Sequence, residues 1–104
     1  DDPLDLGGQV AFISGAGQGA GRAIALAFAR HNVGGVAVND FVAERAERVA
    51  SEIRAMNVPA VAVQADVGNY ESVKAAMDFA QRSLGAVSLL VNNAGNAGPA
   101  ATMG

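Results

Sequence analysis

The sequence predicts a doubly wound α/β fold, in which a parallel β-sheet carries helices on both faces. Short apolar runs alternate with longer stretches of helical periodicity along the 104 residues. Alanine, valine and glycine dominate the composition, and such small side chains allow helices to pack closely on a sheet. Strands that are joined through helices of this length must run parallel to one another.

The first strand and the first helix flank a glycine-rich turn. The apolar run over residues 9–14 is short and ends at glycines, which indicates a buried strand. Residues 19–31 carry apolar side chains at the spacing of one helix face, namely Ile24, Ala27 and Phe28. These residues predict the first helix, and Gly34 and Gly35 mark its end.

The second strand and helix are predicted over residues 35–39 and 43–56. The inward face of this helix is formed by four apolar residues: Ala46, Val49, Ala50 and Ile53. Its charged residues are expected to face solvent: Glu44, Arg45, Glu47 and Arg48.

A third strand over residues 60–64 precedes a helix for which Asn69 is the predicted N-cap and Gly85 the end. The inward side chains of this helix are Val73, Ala76, Met77, Ala80 and Leu84. A fourth strand follows over residues 87–91. The element order is therefore β-α-β-α-β-α-β, with an expected strand order of 3-2-1-4 in one domain. A ligand crevice is expected where this order reverses, at the carboxyl ends of the first and fourth strands.

Composition and charge argue against several classes of partner. The formal net charge of −3 provides no basic surface for nucleic acid. The chain contains no cysteine, so it forms no disulfide and no thiolate metal site. The first residues lack the pattern of a signal peptide, and no apolar run is long enough to span a bilayer. We therefore expect a cytoplasmic protein that binds neither nucleic acid nor membrane.

The glycine-rich turn over residues 15–21 is the main candidate binding site. Glycines also serve ordinary turns, but this turn follows a buried strand and opens a helix, where free N–H groups and the helix dipole favour a phosphate. Gly15 permits the sharp turn, Gly19 allows a pyrophosphate to approach the backbone, and Gly21 allows close packing of the helix. The predicted cofactor contacts in this turn are Gly15, Gly17, Gln18, Gly19, Ala20 and Gly21.

Asp40 is the second candidate, because it ends the second strand about 20 positions after the last glycine of the turn. A carboxylate there accepts hydrogen bonds from both adenosine ribose hydroxyls and repels a 2′-phosphate. Neither Phe41, which is expected to flank the cofactor, nor Gln18 supplies a cation that would reverse this preference. The sequence thus predicts NAD rather than NADP. Asp40 is alternatively an N-cap for the helix near Ala43, and the two roles are compatible.

Three motifs in the right order make the sequence resemble the short-chain dehydrogenase/reductase family. They are the glycines Gly15, Gly19 and Gly21, the pair Asp66-Val67, and the motif Asn92-Asn93-Ala94-Gly95. The resemblance covers residues 6–98 and implies a Rossmann-type fold. Ser14 stands where the family usually has threonine and Ala20 where it has a larger aliphatic residue, and neither change removes a backbone donor.

The resemblance extends the predicted cofactor-binding set by Asp66, Val67, Asn92, Ala94 and Gly95. In similar proteins the carboxylate at Asp66 accepts from the adenine amino group, the Val67 amide donates to the ring, and Asn92 lies beside the cofactor ribose. Asn93 is expected to tie the fourth strand to its neighbours. Asp66 is alternatively a simple turn residue.

By this resemblance, the chain is the N-terminal cofactor-binding part of a longer, homo-oligomeric single-domain oxidoreductase that acts on an alcohol or ketone with NAD. The family's catalytic serine and Tyr-x-x-x-Lys pair come after the Asn-Asn-Ala-Gly motif. Tyr70 and Lys74 match that spacing but lie too early in the chain, and His31 is expected to have no chemical role. We therefore predict no catalytic residue and no metal ligand in this stretch, and cofactor binding without turnover.

Two alternatives come from other classes of protein. A methyltransferase also uses a glycine turn and an acid after the second strand, although the Asn-Asn-Ala-Gly motif argues against it. A non-catalytic nucleotide-binding or assembly module is compatible with the missing catalytic residues.

Overall fold

The computed structural model describes residues 5–93, which form four strands and three helices. In chain order these are β1 Val10–Ser14, α1 Gly19–Ala29, β2 Gly35–Asp40, α2 Ala43–Arg54, β3 Ala60–Gln64, α3 Tyr70–Leu84 and β4 Val87–Asn92. The predicted order of elements is confirmed. Ala94 and Gly95 lie outside the described residues.

The four strands form one parallel sheet in the order β3-β2-β1-β4, which confirms the predicted 3-2-1-4 arrangement. The register places Ile13 of β1 between Val38 of β2 and Val91 of β4. Every residue of β1 and β2 is buried, as expected for central strands that are covered on both faces. The carboxyl ends of all four strands consequently meet at one edge of the sheet.

Two apolar clusters cover the two faces of the sheet. On one face, α1 and α2 pack on side chains such as Ile13, Val36 and Val38. On the other face, α3 packs on Phe12 and Ala37. The four predicted inward residues of α2 are all fully buried, because they occupy one stripe of the helix: Ala46, Val49, Ala50 and Ile53.

The helix α1 contacts the sheet through smaller side chains than predicted. Its buried residues are Gly21, Ala25 and Ala29, whereas the predicted Ile24, Ala27 and Phe28 are half-buried. The small residues lie innermost because they allow the helix axis to approach the sheet closely, and the larger side chains then pack at its flanks.

Two helices end earlier than the apolar pattern predicted. The helix α1 ends at Ala29 instead of residue 31, and α2 ends at Arg54 instead of residue 56. Asn32 and Asn57 follow these ends with φ angles of 63° and 64°, a left-handed conformation that asparagine adopts more readily than most residues. A left-handed asparagine thus stands three residues after the last residue of each helix.

The ends of α3 agree with the prediction. The Asn69 side chain accepts a hydrogen bond from the Ser72 amide at 3.0 Å, as an N-cap does, and Gly85 follows the helix with a φ of 101°. Strands β2 and β4 each extend one residue further than predicted, to Asp40 and Asn92.

A salt bridge on the surface connects α1 to α2. The guanidinium of Arg22 donates two hydrogen bonds to the Glu52 carboxylate, at 2.9 and 2.7 Å. These bonds hold the pKa of Glu52 below its usual range and raise the pKa of Arg22. Within α2, Arg54 likewise pairs with Glu47 and lowers the pKa of that carboxyl group.

No helix among residues 5–93 is long and apolar enough to cross a bilayer. Over the same residues, no group of histidine and carboxylate side chains is arranged to hold a metal ion.

Candidate cofactor site

A cleft of about 530 Å³ lies at the carboxyl edge of the sheet. The sequence predicted a crevice at the ends of the first and fourth strands, whereas this cleft extends mainly across the ends of β1, β2 and β3, and Asn93 is the one described residue after β4 that lines it. Its walls come from the glycine turn, the end of β2, the first turn of α2 and the segment after β3. The lining residues are Gly15, Gln18, Gly19, Ala20, Asn39, Asp40, Phe41, Arg45, Ala65, Asp66, Val67 and Asn93.

The glycine turn has the geometry expected of it. Gly15 leaves β1 with a φ of 62°, and a Cβ on Gly21 would collide with the Gly15 carbonyl oxygen. Gly19 has a φ of 59°, and no atom lies within 4 Å of the position that its Cβ would take. The backbone at Gly19 is thus open towards the cleft, while Gly21 is buried beneath it.

The N-terminus of α1 is open to an anion. Its N-cap, Gln18, makes no side-chain capping bond, and the first helical hydrogen bond runs from the Arg22 amide to the Gln18 carbonyl at 3.2 Å. The amides of Gly19, Ala20 and Gly21 therefore lack intrahelical partners and lie at the positive end of the helix dipole. Such an arrangement suits a phosphate group.

The Asp40 carboxylate lies beside this turn and is only 6% exposed. Its Oδ2 accepts a hydrogen bond from the Gly17 amide at 3.0 Å, and its Oδ1 accepts one from the Val42 amide at 2.9 Å. Each oxygen keeps a second lone pair for a ligand hydroxyl. The expectation that Asp40 caps α2 is wrong, because the N-cap is Val42 and the Asp40 carboxylate instead binds within the turn before the helix.

Arg45 was expected on the solvent face of α2 but is half-buried and lines the cleft. The reason is the absent side chain of Gly17. A Cβ at that glycine would lie 2.5 Å from Asp40 Oδ2 and 2.6 Å from Arg45 Cβ. The first turn of α2 therefore packs directly against the glycine turn.

Asp66 and Val67 line the cleft opposite the glycine turn. The Asp66 Oδ1 accepts a hydrogen bond from the Gly68 amide at 2.9 Å, and the Asp66 amide donates to the Ser72 hydroxyl at 3.0 Å. Asp66 is thus a turn residue, as the simpler interpretation held. The turn engages one carboxylate oxygen, so the other is available to a ligand.

The structure separates the two asparagines at the end of β4. Asn92 is exposed and accepts a hydrogen bond from the Ser14 hydroxyl at 3.2 Å, but it is not among the residues that line the cleft. Asn93 does line the cleft, and its side-chain amide donates to the Gly15 carbonyl at 3.2 Å. This bond ties the end of β4 to the glycine turn, as expected for Asn93.

Tyr70 and Lys74 lie at the start of α3 and are exposed, with 75% of Tyr70 accessible. Neither lines the cleft. His31 is half-buried and follows the end of α1.

Sequence reasoning missed two polar residues of the cleft, Asn39 and Arg45. The Asn39 Oδ1 accepts from the Gly15 amide at 3.4 Å, and its Nδ2 donates to the Val63 carbonyl at 3.0 Å, so it joins β1, β2 and β3. A polar residue directly before Asp40 in a buried strand was a usable signal. For Arg45 the signal was its place in the first turn of a helix that begins at the carboxyl edge of the sheet.

The fold and the cleft together define a Rossmann-type α/β protein. A family model described as short chain dehydrogenase matches residues 9–103. The chain therefore belongs to the short-chain dehydrogenase/reductase family, whose members are oxidoreductases that bind a nicotinamide cofactor.

Named relatives agree with this assignment. The chain is 42% identical over 98 residues to 7α-hydroxysteroid dehydrogenase of Escherichia coli strain K12. The aligned region covers 94% of this chain but 38% of that protein. The chain is also 42% identical over 87 residues to cyclohexanol dehydrogenase of an Acinetobacter species, covering 84% of this chain and 34% of the relative. The chain thus spans little more than a third of these relatives.

Among solved structures, a 7α-hydroxysteroid dehydrogenase in complex with NADH and 7-oxo glycochenodeoxycholic acid superimposes with a TM-score of 0.81. The two sequences are 39% identical, and the match covers 86% of this chain and 34% of that one.

Proposed function

We propose that this chain is the N-terminal cofactor-binding part of a longer NAD-dependent oxidoreductase, which transfers a hydride between the cofactor and an alcohol or ketone. The observation that carries the proposal is the position of the Asp40 carboxylate beside the open N-terminus of α1. The residues proposed to bind the cofactor are Gly15, Gly17, Gln18, Gly19, Ala20, Gly21, Asp40, Phe41, Asp66, Val67, Asn92, Ala94 and Gly95.

The pyrophosphate is proposed to lie at the amides of Gly19 and Ala20, because these donors have no intrahelical partner. The Asp40 carboxylate then accepts hydrogen bonds from the two adenosine ribose hydroxyls through the lone pairs that the Gly17 and Val42 amides leave unused. A 2′-phosphate in this place would bring negative charge against a buried carboxylate. This electrostatic cost favours NAD over NADP.

Asp66 and Val67 are proposed to recognise the adenine, since they form the opposite wall of the cleft. A bound nicotinamide would supply the acceptor for the hydride that leaves the alcohol carbon, and the hydroxyl proton would pass to a base outside residues 5–93. The names of the relatives support an alcohol or ketone as substrate, because a 7α-hydroxysteroid and cyclohexanol are both alcohols.

Titration with NADH and NADPH tests the cofactor assignment. We expect NADH to bind more tightly, and Asp40→Ala to weaken NADH binding at least about tenfold, because charge-assisted hydrogen bonds to the ribose are lost. Asp78→Ala is the matched control, since Asp78 is an exposed carboxylate on α3 outside the cleft. Tighter binding of NADPH than of NADH by the unmodified chain would contradict the choice of NAD.

We also propose that the chain of 104 residues binds cofactor without turnover. Within residues 5–93, no tyrosine or lysine lines the cleft, and Tyr70 and Lys74 lie at the start of α3. The same observation keeps a non-catalytic nucleotide-binding module as a second candidate for these residues. An absorbance increase at 340 nm from reduction of NAD by the chain, in the presence of cyclohexanol or a hydroxysteroid, would refute both the proposed lack of turnover and the non-catalytic module.

A further inference from the structure

Arg45 is a cation that the proposed function does not use. It lies in the first turn of α2, is half-buried and lines the cleft next to Asp40 and Phe41. A Cβ on Gly17 would lie 2.6 Å from Arg45 Cβ and 2.5 Å from Asp40 Oδ2. Arg45 and Asp40 therefore both pack against Gly17. Arg45 therefore stands at the end of the cleft where the adenosine ribose is proposed to bind.

Helix stability does not explain a cation at this place. A positive charge in the first turn opposes the helix dipole, whereas Glu44 beside it agrees with the dipole. Arg22 and Arg54 each pair with a glutamate, but within residues 5–93 Arg45 forms no salt bridge. Among the described residues that line the cleft, Arg45 is the one basic side chain, and Asp40 and Asp66 are the two acidic side chains.

We propose that Arg45 allows this site to accept NADP as well as NAD, by binding the 2′-phosphate of NADP. The planar guanidinium presents a fork of N–H donors that matches a phosphate, and it carries the charge that the predicted specificity positions, Gln18 and Phe41, lack. Asp40 still favours NAD, but Arg45 offsets part of the repulsion that Asp40 exerts on the 2′-phosphate. The site therefore accepts both cofactors, with a preference for NAD that is smaller than Asp40 alone would impose. This inference rests on the proposed function.

The test isolates the 2′-phosphate by comparing adenosine 2′,5′-bisphosphate with 5′-AMP, alongside NADPH and NADH. Arg45→Met keeps the unbranched stem of the side chain as far as the position of the arginine Nε and removes its charge. We expect this variant to weaken binding of NADPH and of the bisphosphate about tenfold, and to change binding of NADH and 5′-AMP by less than about twofold. Arg48→Met on the exposed face of α2 is the matched control, and Arg45→Lys is expected to restore part of the loss.

Two results would overturn the inference. In the first, Arg45→Met changes the affinities for the 2′-phosphorylated and the unphosphorylated ligands by the same factor, or changes neither. In the second, the unmodified chain binds 5′-AMP but shows no detectable binding of the bisphosphate, a measurement that does not depend on the folding of any variant. If NADH binds normally while either result is found, only the role of Arg45 fails. If the unmodified chain binds none of the four ligands, the proposed function fails as well.

Discussion

Gly19 and Gly21 lie in the same turn but lack a side chain for different physical reasons. At Gly21 a Cβ would meet the backbone oxygen of Gly15, which has no freedom to move aside. At Gly19 there is space for a Cβ, but the φ of 59° is costly for any residue with a side chain. The turn thus combines one steric requirement with one conformational requirement.

This difference predicts unequal effects of the same substitution. We expect Gly21→Ala to lower the free energy of unfolding by about 3 kcal/mol, at the upper end for overpacking, because the backbone itself must shift. Gly19→Ala is expected to cost about 1 kcal/mol through its positive φ. Urea denaturation followed by circular dichroism measures both values. A larger loss for Gly19→Ala than for Gly21→Ala would show that the packing of α1 on the turn is not tight.

At the residue scale, the sequence predicted those cleft residues whose position depends on the backbone pattern. The glycine turn and Asp40 follow from a strand, a turn and a fixed spacing, so a linear pattern contains them. Arg45 does not follow from such a pattern, because the helical period of α2 only shows that it lies beside the buried stripe. Its place in the cleft depends on Gly17, which belongs to another element and leaves the space that Arg45 occupies.

At the scale of elements, the type and order of strands and helices were predictable because each has its own hydrophobic period. Helix ends were less predictable from the apolar spacing. Apolar residues continue past Arg54 at the end of α2, and the polar residues after Ala29 do not show where α1 stops, whereas the backbone turns at Asn32 and Asn57. The N-terminus of α3 was predictable, because the Asn69 cap is encoded by a residue only three positions from its partner Ser72.

The Asn69 cap contributes measurably to the stability of α3. Replacement by alanine removes the acceptor of the Ser72 amide, so we expect Asn69→Ala to lower the free energy of unfolding by about 1 kcal/mol. Ser83→Ala, at an exposed position near the other end of α3, is the control and should change it by less than about 0.5 kcal/mol. Equal values for the two variants in urea denaturation would argue against a stabilising cap.

The salt bridge between α1 and α2 predicts a pH dependence. Because Arg22 lowers the pKa of Glu52 in the folded chain, the pair stabilises the fold above the ordinary pKa of glutamate, and this contribution is lost as the pH falls through the lowered pKa. At pH 7, Glu52→Gln should therefore be slightly less stable than the unmodified chain. The difference should shrink as the pH falls below the ordinary pKa of glutamate, and it should vanish once the Glu52 carboxyl group is protonated in the folded chain.

The effect of Glu52→Gln is expected to be small, since both side chains are exposed to solvent and screened by salt. Thermal denaturation at several pH values measures it. Asp78→Asn is the control, because Asp78 forms no salt bridge within the described part of the chain. A difference that grows as the pH falls would contradict the assigned direction of the pKa shift.

At the scale of the whole molecule, the two faces of the sheet are unequally covered near β4. Leu89 and Val91 pack on the cluster beneath α1 and α2, whereas Leu90, on the opposite face, is 66% exposed. Among the described residues, β4 pairs with β1 on one side only. An exposed apolar side chain on a strand at the edge of a sheet favours association between molecules.

We therefore expect Leu90→Lys to reduce self-association of the chain of 104 residues in sedimentation velocity, with a change in unfolding free energy of less than about 0.5 kcal/mol. Leu89→Lys is the matched comparison, and it should destabilise the fold by about 2 kcal/mol or more because it places a charge against the core. Similar losses of stability for both variants would show that Leu90 is covered in solution.

The two backbone amides that hold the Asp40 carboxylate have a consequence for the thermodynamics of binding. They fix the side chain in one rotamer before a ligand arrives, so recognition of the ribose would require little further loss of conformational entropy from the protein. Asp40→Glu would keep the charge but place the carboxylate on a longer, unfixed side chain. The charge at the end of β2 is proposed to decide which cofactor is chosen, and its immobility would decide how much affinity each hydrogen bond contributes.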